Sequence, residues 1–167
     1  RPAPRGRAAG DRRGRAMTVP VATAPRRARR ADLAPARALL RSAGLPLAGV
    51  DEHFDGFWTL HAADNRLAAV AGSERYGPTW LLRSLAVDPS FRGQGSGSAL
   101  LAAVLAEARE RGAREIFLLT TDADDFFAAR GFRAVPRAAA PGALHASEEL
   151  QGACPDSATL MRLEVAR

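Results

Sequence analysis

The chain has 167 residues, 47% of them hydrophobic and 25% charged, a balance that favours one globular domain with a buried core. No apolar run is long enough for a membrane span, and no apolar block follows the basic start as a secretory or twin-arginine signal requires, so no membrane and a cytoplasmic location are expected. The net charge of +6 is unevenly placed: residues 1–30 hold ten arginines against Asp11, a net of +9, which leaves −3 on residues 31–167.

The chain contains no lysine, so its arginine content reads as a coding bias and weakens any inference to nucleic acid. Nucleic acid is expected as a partner only through the basic start, and that segment has no aromatic residues to stack on bases. The single cysteine, Cys154, excludes an intrachain disulfide and fits a reducing compartment.

Residues 1–16 are Arg, Pro, Gly and Ala with one Asp and no apolar periodicity, which predicts a disordered tail ahead of a domain at 17–167, with Met17 a candidate start. Thr18–Thr23 is β-prone and can open the sheet. Asp32 is placed to cap a helix through about Ser42, with Leu33, Ala36, Leu39 and Leu40 on one face and Gly44 as the stop. Phe57–Ala62 and Leu67–Gly72 read as strands joined by the turn Ala63-Asp64-Asn65, and Trp80–Val87 completes an antiparallel meander.

Ser98–Arg111 has helical spacing of Leu100, Leu101, Val104 and Leu105 and stops at Gly112; the buried strand Glu115–Thr120 follows, making a parallel crossover with Trp80–Val87. Asp122 and Asp125 resemble a capping pair for a short helix, Ala123–Arg130, ended by Gly131. Phe132–Val135 is a further strand, Pro141–Gln151 one or two helical turns, and Ala158–Val165 a closing edge strand. The fold class expected is α/β (α+β): a mixed, mostly antiparallel sheet of six to seven strands with about four helices.

The chemistry concentrates where the third strand enters the helix. A glycine-rich turn there exposes backbone N–H groups at the positive end of a helix dipole, with Arg92 at its mouth, and so suits a phosphate or pyrophosphate. The dinucleotide pattern G-x-G-x-x-G fails on spacing, and a nucleotide P-loop needs a lysine that the chain lacks.

The run Arg92-Gly93-Gln94-Gly95-Ser96-Gly97 instead matches R/Q-x-x-G-x-G/A, the acetyl-CoA signature. With the preceding meander and Phe126-Phe127-Ala128-Ala129-Arg130-Gly131-Phe132 behind it, the chain over about 18–167 resembles the GNAT superfamily of N-acetyltransferases. Leu82–Val87, Leu119-Thr120-Thr121 and Cys154–Ala158 look like its arsenic-resistance branch.

That resemblance implies acetyl-CoA as co-substrate, with its pyrophosphate on the amides of Gly93, Gln94, Gly95, Ser96, Gly97 and Ser98. Its pantetheine arm would lie along Leu85, Ala86 and Val87, in a gap between Trp80–Val87 and Glu115–Thr120. A backbone N–H near Leu85 would face the thioester oxygen as an oxyanion donor. Many members carry a Glu base where Arg83 stands and a Tyr acid where Phe127 stands, so both usual proton-transfer groups are replaced.

Arg83 reads either as a fork for an acidic acceptor or as a surface arginine on a strand. Glu74, His61 or a water chain is left for the base, with Glu74 preferred, against the alternative of a solvated loop carboxylate. Thr120 and Thr121 can bind pantetheine or acceptor, or simply cap a strand end, and Ser157 can line the acceptor pocket. Cys154 reads as packing, and His53, His61 and His145 lack ligand spacing, so no metal is assigned. The expected activity is transfer of acetyl to a small, acidic amine, such as an amino acid or an amino-acid-like arsenical, in a ternary complex. A non-catalytic acyl-CoA-binding module is the alternative, and a homodimer is left open.

Overall fold

The computed structural model describes residues 20, 21 and 24–166. The tail expected over 1–16, Met17 and most of the strand expected at Thr18–Thr23 lie outside them. Val21 from that strand makes an isolated bridge to Ala62, and the first strand, β1, comes only at Arg26–Arg27. Pro20 and Pro25 both lack the N–H that a ladder needs, so pairing resumes beyond the second proline.

Helix α1 (Leu33–Ser42) buries Ala36, Leu39 and Leu40, and Gly44 turns the chain away at φ +69°. Asp32 precedes it but does not cap it. Its carboxylate turns back to accept from the Arg29 N–H at 2.7 Å and from the Arg26 guanidinium at 2.8 and 3.0 Å, because a charge-assisted fork outcompetes a neutral N–H.

Strands β2 (Trp58–His61), β3 (Leu67–Tyr76) and β4 (Thr79–Val87) form the expected meander. β3 runs on past Gly72 to Tyr76, which moves Glu74 from a loop into the sheet. Then come α2 (Ser96–Glu110), β5 (Glu115–Thr120), α3 (Asp124–Ala128), β6 (Arg133–Ala134) and β7 (Thr159–Glu164). Among the described residues seven strands lie in the order β1-β2-β3-β4-β5-β7-β6, and of these pairs only β4 and β5 are parallel.

The chain's last strand was expected at the sheet edge, but β7 lies inside, between β5 and β6. Leu160 and Met161 are both buried, so neither face of β7 is solvated, and the two-residue β6 takes the edge. The Asp122–Asp125 capping pair is not formed. Thr120 Oγ1 instead accepts the Ala123 N–H at 3.0 Å. The segment expected as helix over Pro141–Gln151 divides into a turn of 3₁₀ helix, Gly142–Ala146, and a wide turn, Glu149–Ala153.

Two helices cover opposite faces of the sheet. Leu100, Leu101 and Val104 of α2 pack on Trp80, Leu82, Ile116 and Leu118, while Ala36 and Leu40 of α1 pack with Phe57, Val70 and Ala86. Each large side chain so buried contributes about 1.5–3 kcal/mol before the entropy of ordering is set against it. Leu144 closes a third cluster over Leu81, Phe117 and Leu160, which brings the Glu149–Ala153 turn to the β4–β5 junction. Among the described residues no helix is long and apolar enough to cross a membrane.

One irregularity positions the site. Val70 pairs with Ala86 but Gly72 pairs with Arg83, so Ala71 faces two residues, Ser84 and Leu85, and Ser84 takes a left-handed φ of +57°. This is a β-bulge. It shifts the phase of the strand: Trp80 and Leu82 point to α2, and beyond the bulge it is Leu85 and Val87 that do, while Ala86 points to α1. Parallel pairing with β5 covers Thr79, Trp80 and Leu81 and stops there, so β4 and β5 diverge from the bulge onward.

Candidate active site

The divergence opens a cavity of about 620 Å³. Leu82, Arg83, Ser84, Leu85 and Val87 form its β4 wall and Leu118, Leu119 and Thr120 its β5 wall, with Phe126 and Phe127 of α3 beneath. Leu45 and Pro46 close one side after α1, and Glu149, Cys154 and Pro155 close the far end. A second pocket of about 250 Å³ lies at the N-terminus of α2, lined by Arg92, Gly93, Gly95, Ser96, Gly97 and Ser98 with Phe91, Phe126 and Val87. Val87, Gly97 and Phe126 line both, so the two are one channel.

The loop entering α2 is built for an anion. Gly93 and Gly95 sit at φ +76° and +79°, where a side chain is strained, and open space surrounds both. The earliest helical amide bonded back to the loop is Ala99 N–H to the Gly95 carbonyl at 3.0 Å, and among the described residues the amides of Gly93 to Ser98 have no other backbone partner outside the helix. The hydroxyl of Ser96, a residue only 4% exposed, has no hydrogen-bond partner among the described residues. Unspent donors, a helix dipole and a buried unpaired hydroxyl together fit a diphosphate.

Arg130, not singled out from the sequence, donates to Ser98 Oγ at 2.6 Å and lies 3.6 Å from the Phe126 ring centroid, adding a cation beside this loop. Gln94 does not line the pocket. Its Oε1 accepts the Val21 N–H at 3.2 Å, because its side chain turns outward to the N-terminal segment.

Leu85 and Val87 line the channel and Ala86 does not: past the bulge its side chain belongs to the α1 core. Thr120 and Thr121 both line the cavity, and Thr120 also spends its hydroxyl on the Ala123 N–H. Ser157 is a correction. It is exposed in the turn before β7, outside the lining, where the neighbouring Pro155 and Ala158 stand instead.

Arg83 is not a surface residue. Its side chain is fully buried, with Nη1 donating to Glu74 Oε1, Nη2 to the Ala48 carbonyl at 2.6 Å, Nη2 within 3.3 Å of Glu149 Oε1, and Nε donating to Ser84 Oγ at 3.1 Å. Its charge is thus met by two carboxylates. The idea that Arg83 offers a free fork to an acidic acceptor is corrected on that ground.

Glu74 is corrected in the same way. It is 1% exposed on β3, absent from the cavity lining, and holds Arg83 with one oxygen and the Tyr76 hydroxyl at 2.5 Å with the other. Burial pushes its carboxyl up, but hydrogen bonds from Tyr76, Ser147 and Arg83 outweigh that and hold it below the usual range. A carboxylate that is walled off and stabilised as the anion is a poor proton acceptor. His61, the other candidate, pairs with Asp32 and Arg26 beyond β2 and does not line the cavity.

Cys154 and Glu149 were not predicted as site residues. Cys154 lines the cavity and its thiol donates to Glu149 Oε2 at 3.1 Å; burial, reinforced by Glu149, pushes the thiol up to about 12, so it stays protonated. No spacing rule could have found this pair, which long-range packing brings to Arg83. Phe127 packs edge-on to Phe132 at 5.7 Å in the core and offers no proton.

An open gap between two parallel strands, entered from a helix N-terminus with unpaired amides, has the shape and donors that an extended ligand ending in a diphosphate would fit. Residues 25–133 match the acetyltransferase (GNAT) family. The chain belongs to this family. The similar solved structures include N-acetylglutamate synthase from Neisseria gonorrhoeae complexed with coenzyme A and N-acetyl-glutamate, at 24% identity and a TM-score of 0.74. That match covers 88% of this chain and 35% of the synthase, so this chain spans about a third of it. Rv2747 from Mycobacterium tuberculosis, solved with CoA, matches at 21% identity and a TM-score of 0.69 over 85% of this chain and 99% of its own. An acetyltransferase of the GNAT family from Staphylococcus aureus matches at 16% identity and 0.71 over 88% and 100%. At these identities the likeness is one of fold. Comparison with curated proteins gave no match.

Proposed function

We propose that the chain transfers acetyl from acetyl-CoA to the amine of a small molecule by direct attack in a ternary complex. The observation that carries this is the bulge at Ser84: it parts β4 from β5 along a channel that begins at the glycine-rich start of α2 and ends in a part-polar chamber. The amides of Gly93, Gly95, Ser96, Gly97 and Ser98, with Arg92 and Arg130, hold the diphosphate. Leu85 and Val87 flank the pantetheine, Thr120 and Thr121 supply hydroxyls opposite, and a backbone N–H at Leu85 stabilises the tetrahedral oxyanion.

The acceptor enters between Pro46 and Pro155, toward Arg83, Glu149 and Cys154. Since the Arg83 charge is already met, this end favours an ammonium over a free carboxylate or arsonate; an amino-acid-like arsenical belongs in the test because of the sequence runs that resemble that branch. Thiol release from acetyl-CoA is measured against the amino acids, their amides, simple alkylamines and such an arsenical. Acceptor-dependent release with an N-acetyl product supports the reading. Acetyl-CoA binding by calorimetry with no release from any amine overturns it in favour of a non-catalytic acyl-CoA-binding module, which the replacement of a phenol by Phe127 favours.

A further inference from the structure

We infer that Glu149, at the start of the wide C-terminal turn, is the general base that takes the proton from the acceptor's ammonium. The inference rests on the acetyltransferase reading above. Glu149 is 3% exposed, yet its side chain lines the cavity bounded by Leu85 and Thr120. The other ionisable groups on that lining are Arg83, the protonated Cys154 and Asp122, which is exposed at the end of β5. Glu74, where a base was sought, is behind Arg83 and out of reach.

The groups around Glu149 tune it for the task. Arg83 from β4 approaches Oε1 at 3.3 Å and Cys154 donates to Oε2 at 3.1 Å; Glu74 from β3 stands beyond Arg83, with Tyr76 and His53 against it. Arg83 is therefore shared between two carboxylates and neutralises one. Burial, with Glu74 repulsion added, pushes the Glu149 carboxyl up against the pull of Arg83 and Cys154, the direction that favours taking a proton.

The step balances without another reagent. Glu149 takes one proton from R–NH3+, and the freed lone pair attacks the acetyl carbonyl carbon, forming C–N as the carbonyl electrons move to oxygen. Collapse breaks C–S, the thiolate leaves, and the nitrogen's surplus proton protonates it. Glu149 then returns its proton to solvent.

The test has two arms. In the first, the side-chain carboxyls of the full chain are labelled with 13C at glutamate Cδ, Glu149 is assigned through Glu149→Gln, and its titration is followed by NMR with CoA present. The expected midpoint lies above the ordinary 4.5; a midpoint at or below 4.5 overturns the inference whatever the acceptor. In the second, thiol release is measured with the amines of the panel above. Glu149→Gln should lower kcat at least 100-fold, leave the KM for acetyl-CoA unchanged and remove the acidic limb of the pH profile, with partial recovery in Glu149→Asp. Turnover within threefold of wild type in Glu149→Gln overturns it. If the wild type turns over no amine, the acetyltransferase reading fails, and the titration still judges Glu149.

Discussion

Arg83 holds together two carboxylates that the interior would otherwise reject. Its replacement by leucine keeps the volume but leaves Glu74 and Glu149 buried without a counter-ion, so Arg83→Leu is expected to cost about 3–5 kcal/mol, read from urea denaturation at neutral pH. Glu74 supplies a pH signature. Its folded-state carboxyl titrates below the ordinary 4.5, so its stabilisation is present above that value and lost as pH falls through the lower folded one. The denaturation midpoint should therefore drop below about pH 4.5 in wild type, and drop less in Glu74→Gln. Glu149 has the opposite sign: raised in the fold, it favours folding at acid pH, and that contribution is lost as pH rises past 4.5. Glu149→Gln, with Arg83 still paired to Glu74, should be at least as stable as wild type at pH 7, so its loss of activity would not reflect unfolding.

The elements that could be read from sequence are those whose pattern is local. The spacing of Ala36, Leu39 and Leu40 gave α1, that of Leu100, Leu101 and Val104 gave α2, and the glycines at 93, 95 and 97 placed the donor loop between strand and helix. β4 was legible as a strand but its bulge was not, because Trp80, Leu81, Leu82, Leu85, Ala86 and Val87 are apolar on both faces and a phase shift leaves no trace in such a run. The interior position of β7 was hidden for a different reason: Thr159, Arg162 and Glu164 give it the polar content of an edge strand, and its second neighbour, the two-residue β6, is too short to read from sequence. At the donor loop, Gly95→Ala forces a Cβ into a left-handed residue, at an expected cost of about 1–2 kcal/mol, with no clash to add because the space around it is open. A raised KM for acetyl-CoA should accompany it, and Gly95→Asn should be milder in both readouts. At the other end of α2, Glu107 accepts from Trp58 Nε1 at 3.0 Å and pairs with Arg27, Arg75 and Arg111, tying the helix to the sheet. Glu107→Ala should lower the thermal midpoint without changing the KM for acetyl-CoA.

At the scale of the molecule, the two halves of the site were unequally readable. The donor half lies in one stretch from Trp80 to Leu101, and its chemistry follows from glycine spacing. The other end of the cavity is assembled from Leu45 and Pro46, Arg83, and Glu149 to Pro155, segments joined only by the fold, so the sequence points to Glu74 as a base and not to Glu149, the base proposed above. Residues 1–16 hold six arginines against Asp11; their deletion should leave kcat and the acetyl-CoA KM unchanged and remove any salt-dependent binding to DNA. The gap between β4 and β5 and the pocket at the start of α2 form a single channel, the one proposed to hold the donor, and Gly97 is where they join. A Cβ there would meet Phe126 at 3.6 Å and Val87 at 3.8 Å, ordinary contacts that a fold tolerates, while a longer side chain would fill the junction. The direct measurement is a calorimetric titration of acetyl-CoA into wild type and Gly97→Leu, each checked for an unchanged unfolding midpoint: the account predicts binding to wild type and none detectable for Gly97→Leu, and wild-type affinity in Gly97→Leu would contradict it.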